Sequence, residues 1–370
     1  MRHAVIICLD GCDPEYLRQG IIPNIRRLGS EGFFTESGQA MVPTVTNVNN
    51  VSMITGKYPE EHGITSNCYY DQARGTEVYM ESPDSITATT IFEELAQMGK
   101  KCALLSVKDK LCSLLNKGPQ IVLSAESPPE WIVKEIGQPP TIYSIEVNSW
   151  LLKALQMVLK KHNPDFIYMG TTDYVGHKYA PDDEEARKHM AFVDDEIGLL
   201  SDYLNGNLLC ISADHGMLGK SKAVNLKAAL EIAGIDSWVI PTVKDKYVVH
   251  HSNLSGSAYV YLTGSNPHGE ALDILNSVEG VERTLPATEA AQEYHLPLCR
   301  VGDYLVLGEE DTVFGEVSED IVSDVKIRSH GSLHERAIPL IVHGDGIEVK
   351  WLTENKDLAK VVLDYFERDK

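Results

Sequence analysis

Six side chains able to bind a metal are spread along the chain: Asp10, Asp173 with His177, the adjacent pair Asp214 and His215, and His330. Oxygen and imidazole ligands together suit Zn²⁺, so three carboxylates and three imidazoles could hold two zinc-like ions, with Mn²⁺ or another divalent ion also accommodated by the carboxylates. Thr46 lies in VPTVTN, ahead of a helix-like segment, where its hydroxyl would face the positive end of a helix dipole and meet an anion. A threonine hydroxyl attacks phosphorus only when activated. Metal coordination favours the alkoxide, and two ions can stabilise both attacking and leaving groups. The set reads as the site of a hydrolase acting on phosphorus-containing substrates.

Each motif is ordinary alone. AVIICLDG puts Asp10 at the carboxyl end of a buried strand, the edge of an open α/β sheet where ligands bind, although an Asp before Gly is also a common turn. In TTDYVGHKY, one helical turn after Asp173 brings His177 to the same side. LLCISADHG delivers Asp214 and His215 from a strand into a Gly that lets the chain turn sharply. RSHGSLHER supplies His330 just before the apolar run IPLIV.

The elements that must position these residues are short apolar runs at Ala4 to Leu9, Cys102 to Val107, Asp165 to Met169, Leu208 to Ser212 and Pro339 to Val342. Helix-like stretches separate them, among them Ile91 to Met98, Ile145 to Lys161, Asp183 to Leu204 and Lys356 to Phe366. The alternation predicts an α/β fold with a mostly parallel sheet flanked by helices. Between about 225 and 325 the texture changes, with KYVVHH, SNLSGS, SAYVYL, ALDILNSV and DYLVLG in succession. This predicts a catalytic core of residues 1–224 and 326–370, with a smaller α+β insertion at 225–325 that returns His330 to the site and is placed to cap it.

With 54 acidic against 33 basic residues the net charge is -21, which disfavours nucleic acid and anionic membranes as partners. A small anionic substrate remains compatible, because bound cations can reverse the potential within one pocket. The seven cysteines show no paired spacing, so buried thiols are expected instead of a disulfide framework. The apolar start MRHAVIICLDG is too short for a signal peptide and no segment reaches the roughly 20 apolar residues of a membrane span, so a cytoplasmic location is expected. The sequence is compatible with a homodimer and does not fix the oligomer.

Taken in order, LDG, PTVTNVNNVSMITGKYPEEHGITSN, TTDYVGH, SADHG and SHGSLHE resemble the alkaline phosphatase superfamily, in its nucleotide pyrophosphatase/phosphodiesterase branch. The resemblance implies an alkaline-phosphatase-like sheet, Thr46 as nucleophile and metal ligand, and Asn67 donating to the non-bridging phosphoryl oxygens. It further implies one zinc on Asp173, His177 and His330, and a second on Asp10, Thr46, Asp214 and His215. The segment SVKDKLCSLL resembles the lysine pair with which phosphonoacetate hydrolases hold the substrate carboxylate, which makes Lys108 and Lys110 substrate-binding residues. On an extended segment the two would point the same way. The activity so implied is cleavage of the carbon–phosphorus bond of phosphonoacetate to acetate and phosphate. A phosphodiesterase or nucleotide pyrophosphatase using the same metals is the alternative; a phosphomutase, or a catalytically silent metal-dependent sensor, fits less well. Lys220, just after SADHG, is left without a role.

Overall fold

The computed structural model describes residues 2–246, 252–264, 268–318 and 320–368. Its strands in chain order are β1 (Ala4–Cys8), β2 (Phe33–Gln39), β3 (Cys68–Asp71), β4 (Thr76–Tyr79), β5 (Cys102–Ser106), β6 (Ile121–Ser124), β7 (Phe166–Gly170) and β8 (Leu208–Ser212). They continue with β9 (Leu218–Val224), β10 (Ser237–Pro241), β11 (Ser257–Leu262), β12 (Val281–Pro286), β13 (Tyr304–Gly308), β14 (Thr312–Phe314), β15 (Val322–Ser329) and β16 (Ala337–His343).

Seven of these form the central sheet, in the order β2-β16-β8-β1-β7-β5-β6. The strands β8, β1, β7, β5 and β6 run parallel, whereas β16 is antiparallel to both of its neighbours, β8 and β2. The sheet is therefore mostly parallel, as the alternating pattern predicts. All five residues of each of β1, β5, β7 and β8 are buried, which requires cover on both faces and explains why they read as unbroken apolar runs. Truncating one such residue, Ile6→Ala for example, would cost about 2–5 kcal/mol.

The cover comes from two groups of helices. Val147–His162 and Glu184–Leu204 pack on each other and on the sheet, the second through Met190, Val193, Ile197, Leu200 and Leu204 at helical spacing. Both stop at an Asn in the left-handed conformation, Asn163 and Asn205. Thr46–Thr55, Ile91–Gln97 and Leu358–Glu367 form the other group. Among the described residues, no helix is long and apolar enough to cross a membrane. Six cysteines are buried and Cys299 is exposed, all as free thiols.

A second, antiparallel sheet has the order β10-β11-β13-β12, and a three-stranded one the order β14-β9-β15. SAYVYL is β11 and most of DYLVLG is β13, while ALDILNSV falls largely in the helix His268–Ser277. Of KYVVHH, only Lys246 lies within the described residues. The pairing of β9 with β15 aligns Leu218 with Ser329, so the chain leaving His215 and the chain returning to His330 run side by side.

Candidate active site and metal centre

The carboxyl edge of the parallel strands carries most of the site. Asp10 lies two residues beyond β1, after which Gly11 turns the chain at φ +68, a left-handed conformation. A Cβ on Gly11 would stand 3.0 Å from Cβ of Asp173, so the close approach of the two loops also needs glycine. Asp173 precedes the short helix Tyr174–Lys178, which carries His177 one turn on. Asp214 and His215 follow β8, and His330 follows β15 directly. Thr46 is the first residue of its helix, with Val45 at the N-cap, so its hydroxyl is not a helix cap.

All six metal-binding candidates and Thr46 meet at one place; ligand atoms of Asp173, His215 and His330 lie within 4.8 Å of one another, as do those of Asp10, Asp214 and His215, so His215 belongs to both groups and His177 approaches through Asp173. Nε2 of His177 is 2.9 Å and Nε2 of His330 3.9 Å from Oδ2 of Asp173. Nε2 of His215 is 3.5 Å from Oδ1 of Asp10, 3.7 Å from Oδ2 of Asp214 and 3.3 Å from Oγ1 of Thr46. The imidazoles of His215 and His330 stack at 3.6 Å with an interplanar angle of 6°.

The arrangement fits divalent metal ions. Nδ1 of His177, His215 and His330 lies 2.8, 2.9 and 2.7 Å from the carbonyl oxygens of Arg328, Gly216 and Thr44. A carbonyl can only accept, so each Nδ1 carries the proton and each Nε2 lone pair faces the carboxylates, the arrangement found behind metal-ligating histidines. Oδ1 of Asp10 is buried and accepts no hydrogen bond. Burial, followed by repulsion from Asp173 and Asp214, holds the Asp10 carboxyl well above the ordinary carboxylate range. Burial and the neighbouring His215 and His177 hold His330 well below the usual imidazole value. A cation among these groups relieves both strains.

Positioning residues absent from the motif reading surround this centre. Asn50 donates to Oδ2 of Asp214 at 3.1 Å and accepts from the Tyr168 hydroxyl at 2.7 Å, while the amides of Gly11 and His215 hold Oδ1 of Asp214. Thr44 ties the loop ahead of Thr46 to the returning chain: its carbonyl accepts from His330, and its hydroxyl donates to the carbonyl of Ser332 and accepts from the amide of Gly331. Lys220 is not a substrate contact. Its ammonium is buried 2.6 Å from Oε1 of Glu335 and 2.7 Å from the carbonyl of Glu310, and Oε2 of Glu335 accepts from both the amide and hydroxyl of Ser332.

A cavity of about 530 Å³ opens beside the centre, lined by Asp10, Thr46, Asp173 and His330 together with Asn67, Lys108, Lys110 and Asp245. Lys108 and Lys110 do not alternate on an extended segment. Lys108 caps the helix Asp109–Leu115 and Lys110 sits in its first turn, yet both line the cavity because the helix starts at its wall. Nζ of Lys108 is 3.4 Å from Oδ1 of Asp173, and although burial opposes its charge, Asp173 and Asp10 outweigh burial and raise its pKa. Lys110 forms an ion pair with Asp245. Asn67 gives one amide hydrogen to the carbonyl of Val243 at 3.1 Å and has a second to offer.

A parallel α/β sheet with this donor cluster at its carboxyl edge defines a class. The chain belongs to the type I phosphodiesterase / nucleotide pyrophosphatase family, whose model matches residues 4–332. Its fold is that of phosphonoacetate hydrolase from Sinorhizobium meliloti 1021, solved with phosphonoacetate, at a TM-score of 0.88 and 31% identity over 98% of this chain and 96% of that one. The alkaline phosphatase PafA shares the fold at a TM-score of 0.72 and 15% identity, covering 98% of this chain and 95% of its own. Among curated relatives, ectonucleotide pyrophosphatase/phosphodiesterase family member 3 of Rattus norvegicus is 29% identical over 232 residues, 58% of this chain. That match covers 24% of the rat protein, so the chain spans about a quarter of such relatives' length.

Proposed function

We propose that the chain is a metal-dependent hydrolase that cleaves the carbon–phosphorus bond of phosphonoacetate, releasing acetate and phosphate. The observation that carries this reading is the opening of Lys108 and Lys110 into the same cavity as Thr46 and the cluster of carboxylates and imidazoles. Asp173, His177 and His330 would hold one divalent ion, and Asp10, Thr46, Asp214 and His215 a second. When bound, the ions supply Lewis-acid charge and favour the Thr46 alkoxide.

The hydroxyl oxygen of Thr46 forms the new bond to phosphorus as the carbon–phosphorus bond breaks. The electron pair of that bond passes to the carbon beside the carboxylate and spreads into it as an enediolate. Lys108 and Lys110 stabilise the charge as it develops, and a proton on carbon completes acetate. The second amide hydrogen of Asn67 is available to a phosphoryl oxygen. Water then splits the phosphothreonine, returning Thr46 and phosphate.

Size favours a second reading. A cavity of about 530 Å³ is ample for a ligand much larger than a two-carbon phosphonate, which suits a phosphodiester or nucleotide. The test is turnover by the zinc-reconstituted protein of phosphonoacetate and of an aryl phosphodiester, in parallel with Thr46→Ala. Equimolar acetate and phosphate, lost in Thr46→Ala, is the expected result; activity on the diester alone would overturn the substrate and leave the site.

A further inference from the structure

The carboxylate that Lys110 faces belongs to the protein itself. Asp245 lies on the loop after β10, is 9% exposed, and lines the same cavity as Thr46 and Lys108. Its backbone is pinned, since its amide donates to Oδ1 of Asn253 at 2.9 Å and its carbonyl accepts from Nδ2 of Asn253 at 3.3 Å. Its neighbours are pinned as well: Lys244 meets Glu77 at 2.5 Å and Lys246 meets Glu81 at 3.0 Å. The sequence VKDK occurs twice, at 107–110 and 243–246, and the two copies touch at the cavity, a lysine of the first against the aspartate of the second.

We propose that Asp245 is a built-in counter-carboxylate that holds Lys110 until a substrate carboxylate displaces it, and that it thereby tempers the enzyme's affinity for carboxylate-bearing phosphorus compounds. The inference rests on the substrate reading above. A mostly buried ammonium without a partner is costly, so Lys110 needs an anion beside it. Exchange of one carboxylate for another keeps that charge balanced. A ligand with no carboxylate leaves the Lys110–Asp245 pair intact and gains nothing from Lys110. Asp245 therefore competes with the substrate group that Lys110 serves, and removing its charge strengthens carboxylate binding selectively.

The test measures binding, separate from turnover. In zinc-loaded protein carrying Thr46→Ala, titration calorimetry compares phosphonoacetate with methylphosphonate, before and after adding Asp245→Asn or Asp245→Ser. Both second substitutions should tighten phosphonoacetate by about tenfold and leave methylphosphonate within about twofold, because a like-charge neighbour is removed from one ligand only. Lys244→Gln, which breaks the adjacent ion pair without touching Lys110, should leave the ratio of the two affinities unchanged. Weaker phosphonoacetate binding in the Asp245 variants would show that Asp245 positions Lys110, and equal changes for both ligands would show a general effect; either overturns the proposal. A parent that binds the two ligands alike would instead refute the carboxylate subsite itself.

Discussion

Replacing Lys220 with Met should cost about 3–5 kcal/mol of folding stability, the penalty for leaving one member of a buried ion pair alone. Both side chains of the Lys220–Glu335 pair are 0% exposed. The substitution removes the 2.6 Å contact to Glu335 and the 2.7 Å contact to the carbonyl of Glu310. Glu335 keeps its two donors from Ser332, which cannot replace a cation. Met fills much of the vacated volume, so little of the loss is a cavity effect. The double variant Lys220→Met/Glu335→Gln should recover about 2 kcal/mol or more in a double-mutant cycle, because a neutral amide needs no counter-charge. For scale, breaking the exposed Arg18–Glu36 pair, whose side chains are 54% and 32% exposed, should leave stability close to that of the parent. Urea unfolding followed by tryptophan fluorescence reads these differences. Because Ser332 and Thr44 link Glu335 to His330, zinc affinity in a chelator competition should also fall by about 10–100-fold. A single variant within about 1 kcal/mol of the parent, or a double variant no more stable than the single, would refute the reasoning.

Thr46→Ala should lower turnover by a factor on the order of 10⁴ or more, whereas Thr46→Ser should keep a measurable rate, as read by phosphate release. Chelation of metal should lower stability by about 2.7 kcal/mol relative to protein at a hundredfold excess of metal over its dissociation constant, visible as a fall in Tm on dialysis against a chelator. Burial depresses His62 to about 3, so its contribution is complete above the unfolded-state value near 6.5 and is lost as pH falls through the window toward 3. Going from pH 7 to pH 5 should therefore cost about 2 kcal/mol through this residue, and His62→Gln should flatten that part of the pH–stability curve. Substituting Lys108 and Lys110 by Ala should cripple phosphonoacetate turnover while leaving an aryl ester comparatively unaffected, and equal losses on both would count against their role.

How much of this was legible in the sequence follows from what each residue answers to. Strands β1, β5, β7 and β8 are buried on both faces, so burial alone writes them as apolar runs, and the metal-binding candidates stand out because they follow those runs. By contrast β2, FFTESGQ, has only one fully buried residue and carries no periodic signal, although it forms the sheet edge beside β16. Asn50 and Thr44 look like ordinary polar residues near a helix start, and only the fold brings them to Asp214 and His330. Lys220 was open to any reading from sequence, since nothing local announces Glu335 as its partner. Asp245 did leave a trace, the second VKDK, whose meaning depends on which segment it faces.

The placing of β16 has a consequence for the way the chain is made. It is the last strand in the sequence, yet it lies between β2 and β8 in the sheet. A chain growing from its amino end can pair β1 with β7 and β8, but β2 must wait without a sheet neighbour until β16 emerges. His330 arrives only a few residues ahead of that strand. Closure of the sheet and the gathering of the six metal-binding candidates are thus late and nearly simultaneous, joined by contacts of very long sequence separation, the kind that form slowly. A nascent chain that has not reached His330 and β16 has neither the finished sheet nor the six candidates together, so on the proposed reading the capacity to hold metal would come only with a chain synthesised through β16.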